Sequence, residues 1–109
     1  AEEAGVSSYV LSPDAALDLD DIWGFIAADS LDAADRWIVK IFDALETLGR
    51  SPGMGHSRQD LTSSPVLFWP VGAYLVIYRP ERTPIEIVAI TQGSRDVPSF
   101  LSQRTSQSS

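Results

Sequence analysis

The sequence predicts a two-layer α+β domain in which a helical hairpin covers one face of a single sheet. Three observations carry that expectation. Residues 12–49 hold two consecutive stretches whose apolar residues recur every three or four positions, the helical period. Residues 66–91 hold three short runs rich in Val, Ile, Leu and aromatic residues, separated by links that carry Pro and Gly. A further β-prone run, Ser8-Tyr9-Val10-Leu11, precedes the first helical stretch.

That first run stops at Ser12-Pro13, a strong helix start with Ser as N-cap, Pro at the first helical position and Asp14 in the first turn. Ala16, Leu19, Ile22, Trp23 and Ile26 then make one apolar face, and the helix is expected to end near Asp29. Ser30 can cap the next helix, where Ala34, Trp37, Ile38, Ile41, Leu45 and Leu48 repeat at the same spacing. Gly49 sits where a left-handed residue would stop it, and Pro52 follows. The two make an αα-hairpin, with Trp23 and Trp37 expected in the core.

Residues 51–64, rich in Gly, Pro, Ser and Asp, read as loop. Strands are expected at Val66-Leu67-Phe68-Trp69, at 73–78 and at 85–91, with Pro70-Val71-Gly72 and residues 80–84 as turns, so that a three-stranded antiparallel meander joins the N-terminal strand in one sheet. The last two strands are apolar at almost every residue, which predicts burial on both faces, one against the helices and the other awaiting a partner. Residues 94–101 are expected to close the domain with a short helix.

A chain of 109 residues accommodates one domain, which buries roughly two thirds of its unfolded-state surface. Residues 1–7 read as a flexible leader, 8–101 as the domain and 102–109 as a flexible tail. With no cysteine, disulfides and thiolate zinc sites are excluded. No apolar run approaches a membrane span. The formal charge is −7, which argues against a broad nucleic-acid footprint. Its distribution is uneven: residues 1–49 carry eleven carboxylates against two cations, net −9, and residues 50–109 carry six arginines against four carboxylates, net +2. Such asymmetry suggests two surfaces with different partners, although acidic helix faces also serve solubility.

The element order, with these residues, resembles the ParE/RelE toxin superfamily over roughly residues 8–101. Four segments carry the resemblance: Tyr9-Val10-Leu11-Ser12-Pro13 with Asp20-Asp21-Ile22-Trp23; Ala33-Ala34-Asp35-Arg36-Trp37-Ile38; the loop residues Pro52, Gly55 and Arg58; and Tyr74-Leu75-Val76-Ile77-Tyr78-Arg79 followed by Ile85-Glu86-Ile87 and Thr91-Gln92-Gly93-Ser94-Arg95-Asp96. The Gly-Ser-Arg-Asp close is more similar to the ParE branch. The resemblance implies a cytoplasmic toxin without cofactor, held inactive by a ribbon-helix-helix, ParD-like antitoxin encoded beside it. ParE-type toxins poison DNA gyrase by binding it. RelE-type relatives cleave mRNA in the ribosome, and a third option is a detoxified relative that only binds its antitoxin.

An RNase needs groups that hold phosphate, activate a 2′-hydroxyl and protonate a leaving oxygen. Here Lys40 lies within a helix, His56 is a lone loop histidine, and Gln92, where ribosome-directed relatives often carry His or Tyr, cannot do acid–base work near neutral pH. Tyr78 could supply a weak acid. That incomplete set favours binding over catalysis, so no catalytic residue and no metal ligand is assigned. Asp18, Asp20 and Asp21 lack the loop spacing of a calcium site and read as a wet helix face. Arg58, Arg79 and Arg95 are the candidate target contacts; the bland reading pairs Arg58 and Arg79 with Asp60 or Glu86 and makes Arg95-Asp96 a turn and cap. Trp69, Tyr74, Val76, Tyr78, Val88 and Ile90 are the candidate antitoxin contacts, chosen for the apolar surplus on the last strands.

Overall fold

The computed structural model of the chain describes residues 8–93 and 96–108. In order these form β1 (Tyr9–Leu11), α1 (Pro13–Ala27), α2 (Leu31–Arg50), a 3-10 turn (Pro52–Met54), β2 (Leu67–Val71), β3 (Tyr74–Arg79), β4 (Ile85–Gln92) and α3 (Val97–Ser108). One sheet runs β1-β4-β3-β2. β1 lies parallel to β4, and the remaining pairs are antiparallel. The architecture is the expected α+β one, with α1 and α2 forming the crossover between β1 and the meander.

Both helices start where their caps predict. The Ser12 hydroxyl accepts from the Ala15 N–H at 3.0 Å, and the Ser30 hydroxyl accepts from the Ala33 N–H at 3.1 Å. Ala15, Leu19 and Ile22 of α1 and Ile41, Leu45 and Leu48 of α2 pack on Val76, Tyr78, Ile85, Ile87 and Ile90 as the main core. Each Leu or Ile buried this way contributes about 1.5–3 kcal/mol relative to leaving it exposed.

Four local expectations are corrected. The second helix passes through Gly49 and ends at Arg50, and a Cβ at Gly49 would collide with Ser8, just before β1. Its glycine serves close approach, not a left-handed stop. β2 runs through Pro70 to Val71, and the turn is Gly72-Ala73, with Gly72 at φ +60°. β2 is an edge strand, where a missing N–H costs no ladder bond. Trp23 is 38% exposed, its indole N–H donating to the Asp35 carboxylate at 3.1 Å instead of entering the core. Trp37 stays half-buried at the core margin, edge-on to Tyr74 with centroids 5.5 Å apart.

The fourth correction concerns the far face of the sheet. It does not stand open: Val66, Phe68, Ile77, Ala89, Val97 and Leu101 form a second buried cluster there, so α3 and the segment before β2 cover it. α3 begins after Asp96, whose carboxylate accepts from the Ser99 hydroxyl at 3.0 Å, and its backbone continues beyond Leu101 to Ser108. A bulge makes the two faces possible. Ile77 pairs with Ala89 and Tyr78 with Ile87, leaving Val88 as the extra residue of β4. Ile87 and Ile90 thereby face the helices while Ala89 faces α3.

Candidate functional site

The loop after α2 is fixed by one buried side chain. Tyr78, near the end of the interior strand β3, donates its hydroxyl to the Pro52 carbonyl at 2.6 Å and accepts from the Gly55 N–H at 2.9 Å. The next residue, His56, exchanges two main-chain hydrogen bonds with Phe68, at 2.9 and 2.8 Å, closing part of the outer edge of β2. Its ring stacks on Trp69, with centroids 5.9 Å apart and planes 16° from parallel. Burial pushes the Tyr78 phenol above its ordinary value, against a smaller opposite pull from the Gly55 N–H. The hydroxyl is therefore a protonated structural bond, with both its donor and an acceptor position committed.

Two of the arginines nominated as target contacts, Arg58 and Arg79, sit in ion pairs. Arg58 grips Asp60 with two bonds, Nε at 2.9 Å and Nη2 at 2.7 Å, and 48% of its side chain remains exposed. The hydrogen bond from Arg58 holds the Asp60 carboxyl below its ordinary value. Arg79 of β3 lies opposite Glu86 of β4, Nε to Oε1 at 3.3 Å, and Arg82 reaches the same oxygen at 3.1 Å. The pairs of Arg58 with Asp60 and of Arg79 with Glu86 are those the sequence offered; that of Arg82 is not. Arg95 lies outside the described residues.

The six nominated sheet residues separate into two groups. Tyr74, Val76, Tyr78 and Ile90 belong to the core beneath α1 and α2. Trp69 and Val88 are half-buried, Trp69 on the edge strand beside His56 and Val88 at the bulge. A partner can reach these two directly, and the other four only by way of the residues that cover them.

One feature is invisible in the sequence. β1 covers β4 only from Ile85 to Ile87. Beyond that point side chains from the start of α1 take over: the Ser12 hydroxyl donates to the Val88 carbonyl at 3.1 Å, and Asp18 accepts from the Ile90 N–H at 2.9 Å. Asp18 is thus a strand-edge cap and not part of a wet face. Asp18, Asp21 and Phe25 of α1, Gln92 of β4 and Phe100 of α3 line a groove along this edge. The close spacing of Asp18 and Asp21 was legible; the strand edge they flank was not, since strand order sets it.

The model of the ParE toxin of type II toxin–antitoxin systems, parDE, matches residues 9–97. No curated protein matches the sequence. Among solved structures, the chain is similar to one from the chromosomal ParDE TA system of P. aeruginosa, with a TM-score of 0.64 and 20% identity, over 79% of this chain and 95% of that one. At that identity the likeness speaks for the fold.

Proposed function

We propose, because the chain belongs to the ParE toxin family of type II toxin–antitoxin systems, that it acts in the cytoplasm by binding DNA gyrase and is neutralised by a ribbon-helix-helix antitoxin of the ParD kind. The observation that carries a binding mode over acid–base chemistry is the state of Tyr78. The phenol best placed to act as an acid is buried and committed to Pro52 and Gly55, and its pKa is raised further from neutrality. Gln92 offers no titratable group in its place.

The target surface in this reading is the arginine-bearing half, with Arg58, Arg79 and Arg95. Exposed ion pairs are weak in water, so Arg58 can exchange Asp60 for a carboxylate of the target with little loss. Trp69 and Val88, both half-buried, are the apolar contacts a protein partner can reach. A supercoiling assay with purified gyrase, relaxed plasmid and ATP tests the reading. Loss of supercoiling, or accumulation of cleaved plasmid, that the antitoxin reverses is expected. Full supercoiling in the presence of excess folded protein sinks the gyrase target, and mRNA cleavage seen by primer extension would replace it.

A further inference from the structure

The groove beside β4 combines three properties that together define an occupant. The first is an open strand edge. In a strand, the N–H and C=O of one residue face the same side, and successive residues alternate. The Ile90 N–H turns toward Asp18, so the main-chain groups of Gln92 address that same side. The Gly93 N–H turns the other way, to the Ala73 carbonyl at 2.8 Å. Among the described residues no strand pairs with β4 on that side past Ile87.

The second property is an apolar wall. Phe25 lines the groove, on the same helical stripe as Asp21 and, just outside the groove, Leu17. Leu17 is 60% and Phe25 70% exposed, a large apolar exposure for a helix whose other face is already in the core. The third is charge. Asp21 lines the groove beside Asp18, whose carboxylate is already engaged by the Ile90 N–H, within a segment that carries net −9 over residues 1–49. A second copy of the chain, itself at −7, and a nucleic acid are both repelled from such a surface.

We infer that the open edge of β4, walled by Asp21 and Phe25, receives a basic extended segment of the antitoxin. Its main chain pairs with Gln92, a Lys or Arg lies against Asp21, and an apolar side chain covers Phe25. The inference rests on the antitoxin reading above. It adds that the toxin supplies the acidic side of this contact and the antitoxin the basic side.

Calorimetric titration with the full-length antitoxin encoded beside the toxin tests it. The Asp21→Lys variant, exposed and free to fold, is expected to bind about tenfold more weakly or worse, as is Phe25→Ser. Asp43→Lys makes the same charge change at an exposed position of α2 that does not line the groove, and is expected to bind as wild type does. Hydrogen exchange at the Gln92 amide is expected to slow in the complex. Tight binding by wild type and Asp21→Lys alike overturns the groove while leaving the antitoxin reading intact. So does an equal loss in Asp43→Lys, which would mark a general charge effect. A folded wild type that does not bind the antitoxin overturns both.

Discussion

The Tyr78 hydroxyl donates to the Pro52 carbonyl at 2.6 Å, joining the end of β3 to a loop 26 residues earlier in the chain. Through its second bond, from the Gly55 N–H, it also fixes the residue before His56. Replacing Tyr78 by Phe keeps the ring in the core but strands a donor and an acceptor. We expect a loss of about 1–3 kcal/mol in denaturant unfolding and faster amide exchange at Gly55 and His56. The variant should also change the alkaline limb of stability. Burial raises the folded pKa above the 10.0 of a free phenol, so the contribution is complete below that value and is lost as pH climbs through the folded pKa. A Tyr78→Phe protein with unchanged unfolding midpoint, or with the same alkaline decline as wild type, would refute this role.

Gly72 and Gly24 should respond in opposite directions to the same substitution. Gly72 has φ +60°, and a Cβ there would meet the ring of Trp37. Alanine at this position costs about 1–2 kcal/mol from the left-handed conformation alone, before Trp37 moves. Gly24 lies inside α1, where a Cβ would have open space for 4 Å around it, so alanine there is expected to stabilise by about 0.5–1 kcal/mol. Thermal unfolding of the two variants decides it; a neutral Gly72→Ala would mean that the β2–β3 turn is not held in the geometry described.

The pair between Arg58 and Asp60 can be read by titration. Hydrogen bonding from Arg58 lowers the Asp60 pKa below the 3.8 of an isolated side chain. The pair is therefore intact above that value and released as pH falls through the lower, folded one. In carboxyl-resolved NMR, Asp60 should titrate below 3.8 in wild type and return toward it in Arg58→Gln. An Asp60 midpoint that ignores this substitution would show that the arginine is already available in solution.

Much of this architecture could be read from sequence because it is local. Ser12-Pro13 and Ser30 start helices through their own side chains, and the apolar spacing of α1 and α2 names the core residues Leu19, Ile22, Ile41 and Leu45. What could not be read depends on neighbours distant in the chain. Pro70 looks like a turn until β2 is known to be an edge strand. Gly49 looks like a helix stop until Ser8 is found against it. Tyr74, Val76, Tyr78 and Ile90 look available to a partner because alternation does not say which face the helices will cover, and the bulge at Val88 changes the parity within β4 itself. The arginine pairs were within reach of sequence reasoning, since Asp60 is two residues from Arg58 and the β3–β4 hairpin sets Arg79 opposite Glu86. The groove at β4 was not, because it exists only where β1 is too short to cover its neighbour.

Asp18 supplies the last prediction, because it replaces the strand that β1 fails to provide. Its carboxylate accepts from the Ile90 N–H at 2.9 Å in a partly buried position. Removing it with Asp18→Ala leaves that N–H facing the groove without its acceptor, and hydrogen bonds to a charged group are worth about 1.5–3 kcal/mol. Water can reach the groove and recover part of this, so a net loss of about 1–2 kcal/mol is expected. Asp18→Asn retains an oxygen able to accept and should lose about half as much or less. The local signature is specific: the Ile90 amide should exchange markedly faster in Asp18→Ala, while amides of β3 stay protected. Equal destabilisation by Asn and Ala would instead assign the effect of Asp18 to its charge, and the capping of β4 by α1 would have to be abandoned.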